Sequence, residues 1–472
     1  AVAFAIFDRD NVRLLNAIND VYRSHAYEVE LFIHCSLDIV DEKASKANEM
    51  FLGQLYSDQT YKSFGLITNT GVRMVLVLEI NNLELKDLDI RGIFKRFHTL
   101  YCNAISNPFH ALGDEISSKF LDGIVGKQLC VVTVSPQSVC SIAVKRGLST
   151  SQAARLIASY FFSRGIHFVV DSSFGRALCL EEAYQEFLSR SIRPILVSSC
   201  PGFVCYAEKS HDAFLLPYIS NVRSPQAIHG ALVKDFLSRR LEIPATSIYH
   251  ASVMPCFDKK LEAARLDFCV PGTEVRETDC VISTVEVDSV LDDVETTGNV
   301  EEKGWLGDFP RGVLYGNEGG TSGGFATSIV RRFVSEHGGE ITEEKVDRNL
   351  DVISARRDGN TILRVARIYG FRNIQNFVRK MKNNKPTYDY IEIMACPNGC
   401  ANGGAQIRAD IVEKRDHILR NVENAYSTIQ NDAAEEMRRV VAEWSAVNPE
   451  WKRFLYTEYH GVNSNIAQKL QW

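Results

Sequence analysis

The chain has 472 residues, 45% of them hydrophobic, a net charge of -6 and a pI near 6.1. That length supports a large core and more than one domain. No densely basic stretch exists to track phosphates, which argues against nucleic-acid binding. No apolar run reaches the roughly 18–20 residues of a membrane span. The opening Ala1-Val2-Ala3-Phe4-Ala5-Ile6-Phe7, followed by Asp8-Arg9-Asp10, is too short for a signal-peptide core and is expected to be a first strand.

In chain order, residues 1–127 are expected to form a compact α/β unit. A helix is placed at 35–50, with Leu37, Val40, Ala44 and Ala47 on one face. Strands at 61–67 and 72–80 are joined by Thr68-Asn69-Thr70-Gly71, a hairpin signal because Asn and Gly tolerate positive φ. A longer helix is expected at 87–105, broken by Asn107-Pro108-Phe109, and a last one at 115–124 closes the unit. From residue 129 the pattern changes. Strands at 130–134, 167–171 and 194–198 alternate with helices at 149–163 and 180–188, which predicts parallel strands with crossover helices. Residues 286–303 hold seven carboxylates against one lysine and are expected to face solvent. Gly319-Gly320-Thr321-Ser322-Gly323-Gly324 precedes a helix through Phe333. It lacks the Gly-Lys-Ser/Thr ending of a phosphate-binding loop, so that reading is rejected. A strand at 390–394 runs into Cys396, and 409–472 is helix-rich.

Twelve cysteines without a secretion signal argue against a disulfide framework and for metal where they group. Cys35, Cys102, Cys130, Cys140, Cys179, Cys205, Cys269 and Cys280 are expected to be small buried residues. Cys200, Cys256, Cys396 and Cys400 differ. Three Cys-Pro or Pro-Cys junctions (Cys200-Pro201, Pro255-Cys256 and Cys396-Pro397) fall in a chain with only 13 prolines. Cys200 and Cys256 end apolar strands, where sites collect in α/β proteins. Pro397 and Gly399 bend the backbone between Cys396 and Cys400, so that both sulfurs can face one cavity, and Gly403-Gly404 leaves amides unshielded. Soft thiolates suit an iron–sulfur cluster, and a cubane needs about four. Read singly, each of these cysteines is more often core than ligand; the pattern alone leaves a metal site and a buried core equally open. His34, His98 and His250 fit no Ser/His/Asp arrangement and are expected to be structural.

The residues around these cysteines carry a resemblance. Val197-Ser198-Ser199-Cys200-Pro201-Gly202-Phe203, His250-Ala251-Ser252-Val253-Met254-Pro255-Cys256-Phe257-Asp258-Lys259-Lys260-Leu261-Glu262-Ala263 and Ile393-Met394-Ala395-Cys396-Pro397-Asn398-Gly399-Cys400-Ala401-Asn402-Gly403-Gly404 are similar to the three signatures of the iron-only hydrogenase large-subunit domain. Val134-Ser135-Pro136-Gln137, Asp171-Ser172-Ser173-Phe174-Gly175, 319–325 and Gly370-Phe371-Arg372-Asn373-Ile374-Gln375-Asn376 agree. Residues 129–472 resemble most the eukaryotic hydrogenase-like, NARF-like group, whose members act in cytosolic iron–sulfur protein assembly. The resemblance implies a two-lobed α/β domain and a cytoplasmic protein. It also implies a [4Fe–4S] cluster on Cys200, Cys256, Cys396 and Cys400. Members usually carry a second cluster on an N-terminal ferredoxin-like segment with a Cys-x-x-Cys-x-x-Cys run; this sequence contains no Cys-x-x-Cys. True hydrogenases place a proton-relaying cysteine before the first ligand. Ser199 stands here, and its hydroxyl does not readily ionise, so hydrogenase activity is not expected. Lys259 and Glu262 match positions that contact the hydrogenase diiron unit, but are expected to be an ordinary salt-bridged surface or rim pair.

Residues 1–127 resemble the sedlin-like, longin-fold small subunits of the TRAPP tethering complex. The resemblance rests on His34-Cys35-Ser36-Leu37-Asp38-Ile39-Val40-Asp41-Glu42-Lys43, the 61–69 strand, Asn107-Pro108-Phe109, Gly113-Asp114 and Phe120-Leu121-Asp122. It implies a non-enzymatic module that binds TRAPP subunits. The expected function is an iron–sulfur assembly factor fused to a tethering-like module. The alternatives are a TRAPP-type subunit in endoplasmic reticulum to Golgi transport and, less favoured, an iron-only hydrogenase. Leu470-Gln471-Trp472 resembles the tail by which clients dock to the cytosolic iron–sulfur targeting complex, and a terminal aromatic with a free carboxylate can anchor in a pocket. Packing of Trp472 on its own domain is the alternative.

Overall fold

The structure, a computed structural model, describes residues 2–8, 11, 13–44, 49–68, 70–81, 85–105, 119–292, 305–383, 388–409, 415–429 and 432–461. The chain divides into two compact units, Ala1–Ser118 and Lys119–Trp472.

The first unit is built on β1 (Ala3–Phe7), β2 (Arg13–Ile18), β3 (Phe51–Ser57), β4 (Tyr61–Ile67) and β5 (Arg73–Glu79), in the antiparallel order β2-β1-β5-β4-β3. Side chains alternate across a strand, so a two-faced sheet needs apolar residues at both parities. β1 and β5 supply them. Ala3, Ala5, Phe7, Val75 and Val77 pack under helix Ala26–Ala44 through Val29, Phe32, Ile33 and Leu37. Phe4, Ile6, Met74, Leu76 and Leu78 pack on the other face against Ile90 and Phe94 of helix Asp87–Ile105. The β4–β5 hairpin forms as expected: Thr68 N–H donates to the Val72 carbonyl and the Thr68 carbonyl accepts from Gly71, both at 2.9 Å.

Two expectations change here. The first helix starts at Ala26 rather than Cys35, because its buried stripe already begins at Val29, Phe32 and Ile33. Cys35 lies off that stripe and is exposed, not buried. Helix Lys119–Ile124 belongs to the second unit, where Phe120 lies 5.6 Å from the Phe161 ring and 6.2 Å from Tyr249, so it does not close the first. Residues 106–118 lie outside the described residues.

The second unit contains two sheets. Its strands are β6 (Leu129–Val134), β7 (Phe168–Asp171), β8 (Ile195–Val197), β9 (Ile248–Met254), β10 (Cys280–Ser283), β11 (Glu340–Asp347), β12 (Leu350–Arg357), β13 (Asn360–Tyr369) and β14 (Tyr390–Met394). One sheet, β10-β9-β6-β7, is wholly parallel. The other, β11-β12-β13-β14-β8, begins as an antiparallel meander and ends with three parallel strands. Buried parallel strands read as continuous apolar runs, and β6, β8, β9 and β14 are buried at every residue. The fold is thus α/β throughout, with the second unit in two sheet-centred lobes. Among the described residues no helix is long and apolar enough to cross a membrane.

The acidic run is not uniformly solvated. Asp288 is 4% exposed and is held by Lys145 and by Arg146 at 2.8 Å, and Glu286 pairs with Lys260 at 2.7 Å. Glu286 also closes a capping box with Ser283, which starts helix Thr284–Val290. Its continuation at 293–303 lies outside the described residues.

Candidate metal centre

Three strands end at one cavity. β8 leads through Ser198 and Ser199 to Cys200, which caps helix Pro201–Ser210; Pro201 sits at the first helical position, where its missing N–H costs nothing. β9 leads through Pro255 to Cys256, just before helix Asp258–Ala263. β14, the parallel neighbour of β8, leads through Ala395 to Cys396, and a short 3-10 turn begins at Cys400. Cys200, Cys256, Cys396 and Cys400 all line this cavity of about 60 Å³, several times the ~10–15 Å³ that one water needs.

The turn between the last two cysteines depends on its glycine. Asn398 and Gly399 have φ of 59° and 78°. A Cβ on Gly399 would lie 2.1 Å from Ser322 Oγ, so the position demands both a left-handed backbone and no side chain. Gly403 is needed for close approach alone, since its Cβ would meet the Pro255 carbonyl oxygen at 2.2 Å. That contact brings the Cys400 turn against the Cys256 segment, and Ala405 N–H donates to the same carbonyl at 3.1 Å.

Electrostatics ties the four thiols together. Burial pushes the Cys256 thiol well above its usual range, and the neighbouring Cys200 and Cys400 add to the shift. Burial, then Cys200 and Cys396, raise Cys400 to about 12. Burial, then Cys200, raise Cys396 to about 11. Cys200 is also raised by burial, although its sulfur accepts the Ala395 N–H at 3.5 Å and backbone N–H groups of Phe203 and Gly202. Of the four thiols Cys200 is buried and the others are half-buried, and each resists ionisation. Among the described residues no three His, Cys, Asp or Glu side chains converge on a single ion.

Around the thiols the cavity is polar on one side, with Ser135, Gln137, Arg176, Gln226 and Lys259. Lys259 and Glu262 are not a surface pair: each is 7% exposed, and their charges meet at 2.9 Å. Ser224 Oγ donates to Glu262 at 2.5 Å and accepts from Lys259 at 3.2 Å, while Gln226 spans the Lys259 carbonyl and Glu262. Burial alone would lower the Lys259 ammonium, but Glu262, Cys256 and Cys400 outweigh it and hold the lysine charged. Ser199 lines the cavity beside Cys200 and directs its hydroxyl at Met394 Sδ, 3.9 Å away.

Sequence reasoning missed Arg176 and Gln226, which line the cavity, and Ser224, which bonds the Lys259–Glu262 pair; no local pattern marks them. Of the cysteines expected to be buried, Cys130, Cys140 and Cys179 are, and Cys205, Cys269 and Cys280 are half-buried. Nothing is described of the Cys102 side chain, and Trp472 lies outside the described residues. His250 is structural as expected, fully buried between Thr133 Oγ1 and the Glu277 carbonyl, both at 2.9 Å. His34 is exposed and packs edge-on against Phe7.

Residues 128–404 match the family described as iron only hydrogenase large subunit, C-terminal domain, and residues 14–128 match the family described as sedlin. A probable cytosolic Fe-S cluster assembly factor of Brugia malayi is 50% identical over 364 residues, covering 76% of this chain and 81% of the relative. The cytosolic iron-sulfur assembly component 3 of Rattus norvegicus is 38% identical, covering 73% and 77%. Among solved structures, an apo [FeFe]-hydrogenase HydA1 variant from Chlamydomonas reinhardtii is 26% identical with a TM-score of 0.58, covering 72% of this chain and 98% of that one. A second [FeFe]-hydrogenase, 24% identical with a TM-score of 0.59, shares the fold over 73% and 98%. The chain belongs to the iron only hydrogenase large-subunit family, among relatives that are cytosolic Fe–S cluster assembly factors, and bears a sedlin-type domain ahead of the hydrogenase-like one.

Proposed function

We propose that the protein is an iron–sulfur cluster-binding factor of cytosolic iron–sulfur protein assembly, holding a [4Fe–4S] cluster on Cys200, Cys256, Cys396 and Cys400. The observation that carries this is the meeting of four cysteine thiols, Cys200 buried and the other three half-buried, on one cavity. A cubane is wider than one ion and takes four thiolates, and its iron supplies the positive charge that four mutually repelling thiolates lack. When bound, the cluster would supply one-electron redox chemistry and a store of iron and sulfide. The chain's own residues would do the rest: Ala395, Gly202 and Phe203 N–H groups meet the Cys200 sulfur, and the buried Lys259 faces Cys256 and Cys400 with its positive charge.

Hydrogenase activity is not part of this function. Ser199, already engaged with Met394, occupies the place of the proton-relaying cysteine. We assign the work to the cytoplasm, with the cytosolic iron–sulfur assembly machinery as partner and Trp472 as the docking residue for its targeting complex. The two units, Ala1–Ser118 and Lys119–Trp472, would divide the labour. Anaerobic reconstitution followed by iron and sulfide counts tests the cluster. About four of each per chain are expected, and sustained hydrogen evolution from reduced methyl viologen would overturn the non-hydrogenase assignment.

The sedlin match over residues 14–128 and the helix-flanked antiparallel sheet favour a second role. In that reading the first domain is a TRAPP-type module of endoplasmic reticulum to Golgi transport, binding TRAPP subunits without need of a cluster. Co-purification of TRAPP subunits with a Cys400→Ala protein would support it, and their absence from wild-type preparations would exclude it.

A further inference from the structure

The glycine-rich segment 319–324 lacks the ending of a phosphate-binding loop, yet it touches the cysteine loop at two adjacent hydroxyls. Ser322 Oγ accepts the Cys400 N–H at 3.1 Å, and Thr321 Oγ1 accepts the Ala401 N–H at 3.3 Å. Both residues are buried, at 2% and 7% exposure. Ser322 fits because Gly399 leaves it room; the missing Cβ would stand 2.1 Å from its hydroxyl oxygen. Tyr369 flanks the same gap, its ring 3.4 Å from where that Cβ would stand. Tyr369 in turn donates to Glu392 Oε1 at 2.8 Å.

Glu392 is the anchor. It is wholly buried on β14, four residues before Cys396, and its second oxygen accepts the Ala326 N–H at 2.9 Å, in the first turn of helix Phe325–His337. One carboxylate thus ties together the strand that leads to Cys396, the end of β13 and the helix that follows the glycine segment. A buried carboxylate costs several kcal/mol unless fully bonded. Its satisfaction by Tyr369 and Ala326 therefore fixes both in place.

We propose that Ser322, flanked by Tyr369 and Glu392, is a positioning residue for the Cys400 ligand: by accepting the Cys400 N–H it fixes the turn from which the sulfur enters the cavity. This rests on the cluster reading above. A buried acceptor on the ligand's own backbone N–H holds the loop in one geometry, and removing it leaves that N–H unsatisfied and frees the loop.

The test uses the full-length protein, wild type, Ser322→Ala, Ser322→Thr and Tyr369→Phe. After anaerobic reconstitution, Ser322→Ala is expected to lose iron to an excess chelator about threefold to tenfold faster, the range one net hydrogen bond allows. Tyr369→Phe moves the rate in the same direction by less, and Ser322→Thr restores it. Amide exchange at Cys400 in the metal-free protein is a second, cluster-independent readout, expected to quicken in Ser322→Ala and not in Ser322→Thr. If wild type takes up no iron, the cluster reading fails, and exchange alone decides the contact. If wild type holds iron while Ser322→Ala matches it in chelation rate and exchange, the proposal is overturned.

Discussion

The two units bury their polar groups very differently. Among the described residues of the first, the buried polar ones are Ser36, Ser63 and Thr68, and the described interior is two apolar layers on a single sheet. The second buries Arg176, Glu186, Arg223, Lys234, Asp235, Lys259, Glu262, Glu277, Asp288 and Glu392, with His229 and His250. Burying a charge is costly unless it is paired, and an apolar substitute often serves stability as well or better. Stability alone therefore gives no reason to keep so many charges inside one unit. Orientation does: several of these groups stand in contact with the segments that carry the four cysteines. The first unit shows what the chain builds when only packing is required.

That contrast can be broken by substitution. In the first unit Phe94→Ala removes a wholly buried ring, at an expected cost of about 3–5 kcal/mol, read by denaturant titration with hydrogen exchange to locate the loss. No substitution of a polar partner there should compensate it. In the second unit, Lys259→Met in metal-free protein leaves Glu262 buried without its counter-charge and should cost about as much, ~3–5 kcal/mol. Here Lys259→Met combined with Glu262→Leu should recover part of the loss. An equal cost in single and double variants would mean that the pair is not the unit of stability.

Acid sharpens the comparison at smaller amplitude. Burial holds His250 at about 4 and His229 at about 3, against an ordinary value near 6.5. Each is neutral in the folded protein, so the unfolded chain takes up a proton first. Their contribution is present above pH 6.5 and is lost as pH falls from 6.5 toward 4. Glu277, raised by burial to about 7, acts in the opposite direction over part of that range, so the histidine effect must be read as a difference. Between wild type and His250→Asn the slopes should differ by about 1.4 kcal/mol per pH unit in that window. The described part of the first unit contains no buried histidine and should show no such step. The smallest effect is expected at its surface: Arg91→Ala breaks an exposed pair with Glu49, at a cost of ~1 kcal/mol or less.

How far the sequence disclosed all this follows from the range of each signal. The β4–β5 hairpin and helix Asp87–Ile105 were readable because turn chemistry and helical spacing are local. The start of the first helix was not, because Val29 and Phe32 become one stripe only against Ala5 and Val75 of the sheet. Cys200, Cys256, Cys396 and Cys400 could be singled out by their prolines and glycines. That β8, β9 and β14 end at one cavity depends on the order of strands in two sheets, which no single segment encodes. Lys259 and Glu262 were misjudged for the same reason: a charged pair at helical spacing looks solvated until Ser224 and Gln226 arrive from elsewhere in the chain. Ser322 was visible only as part of a loop lacking the phosphate signature; its use follows from the gap left by Gly399.

The central claim is that these four thiols together hold one cluster. Its most direct measurement is the iron and sulfide content of anaerobically reconstituted full-length protein, wild type beside the Cys396→Ala/Cys400→Ala double variant. The account predicts about four iron and four sulfide per wild-type chain, with a brown chromophore, and near-complete loss of both in the double variant. A double variant that retains as much iron as wild type would contradict it.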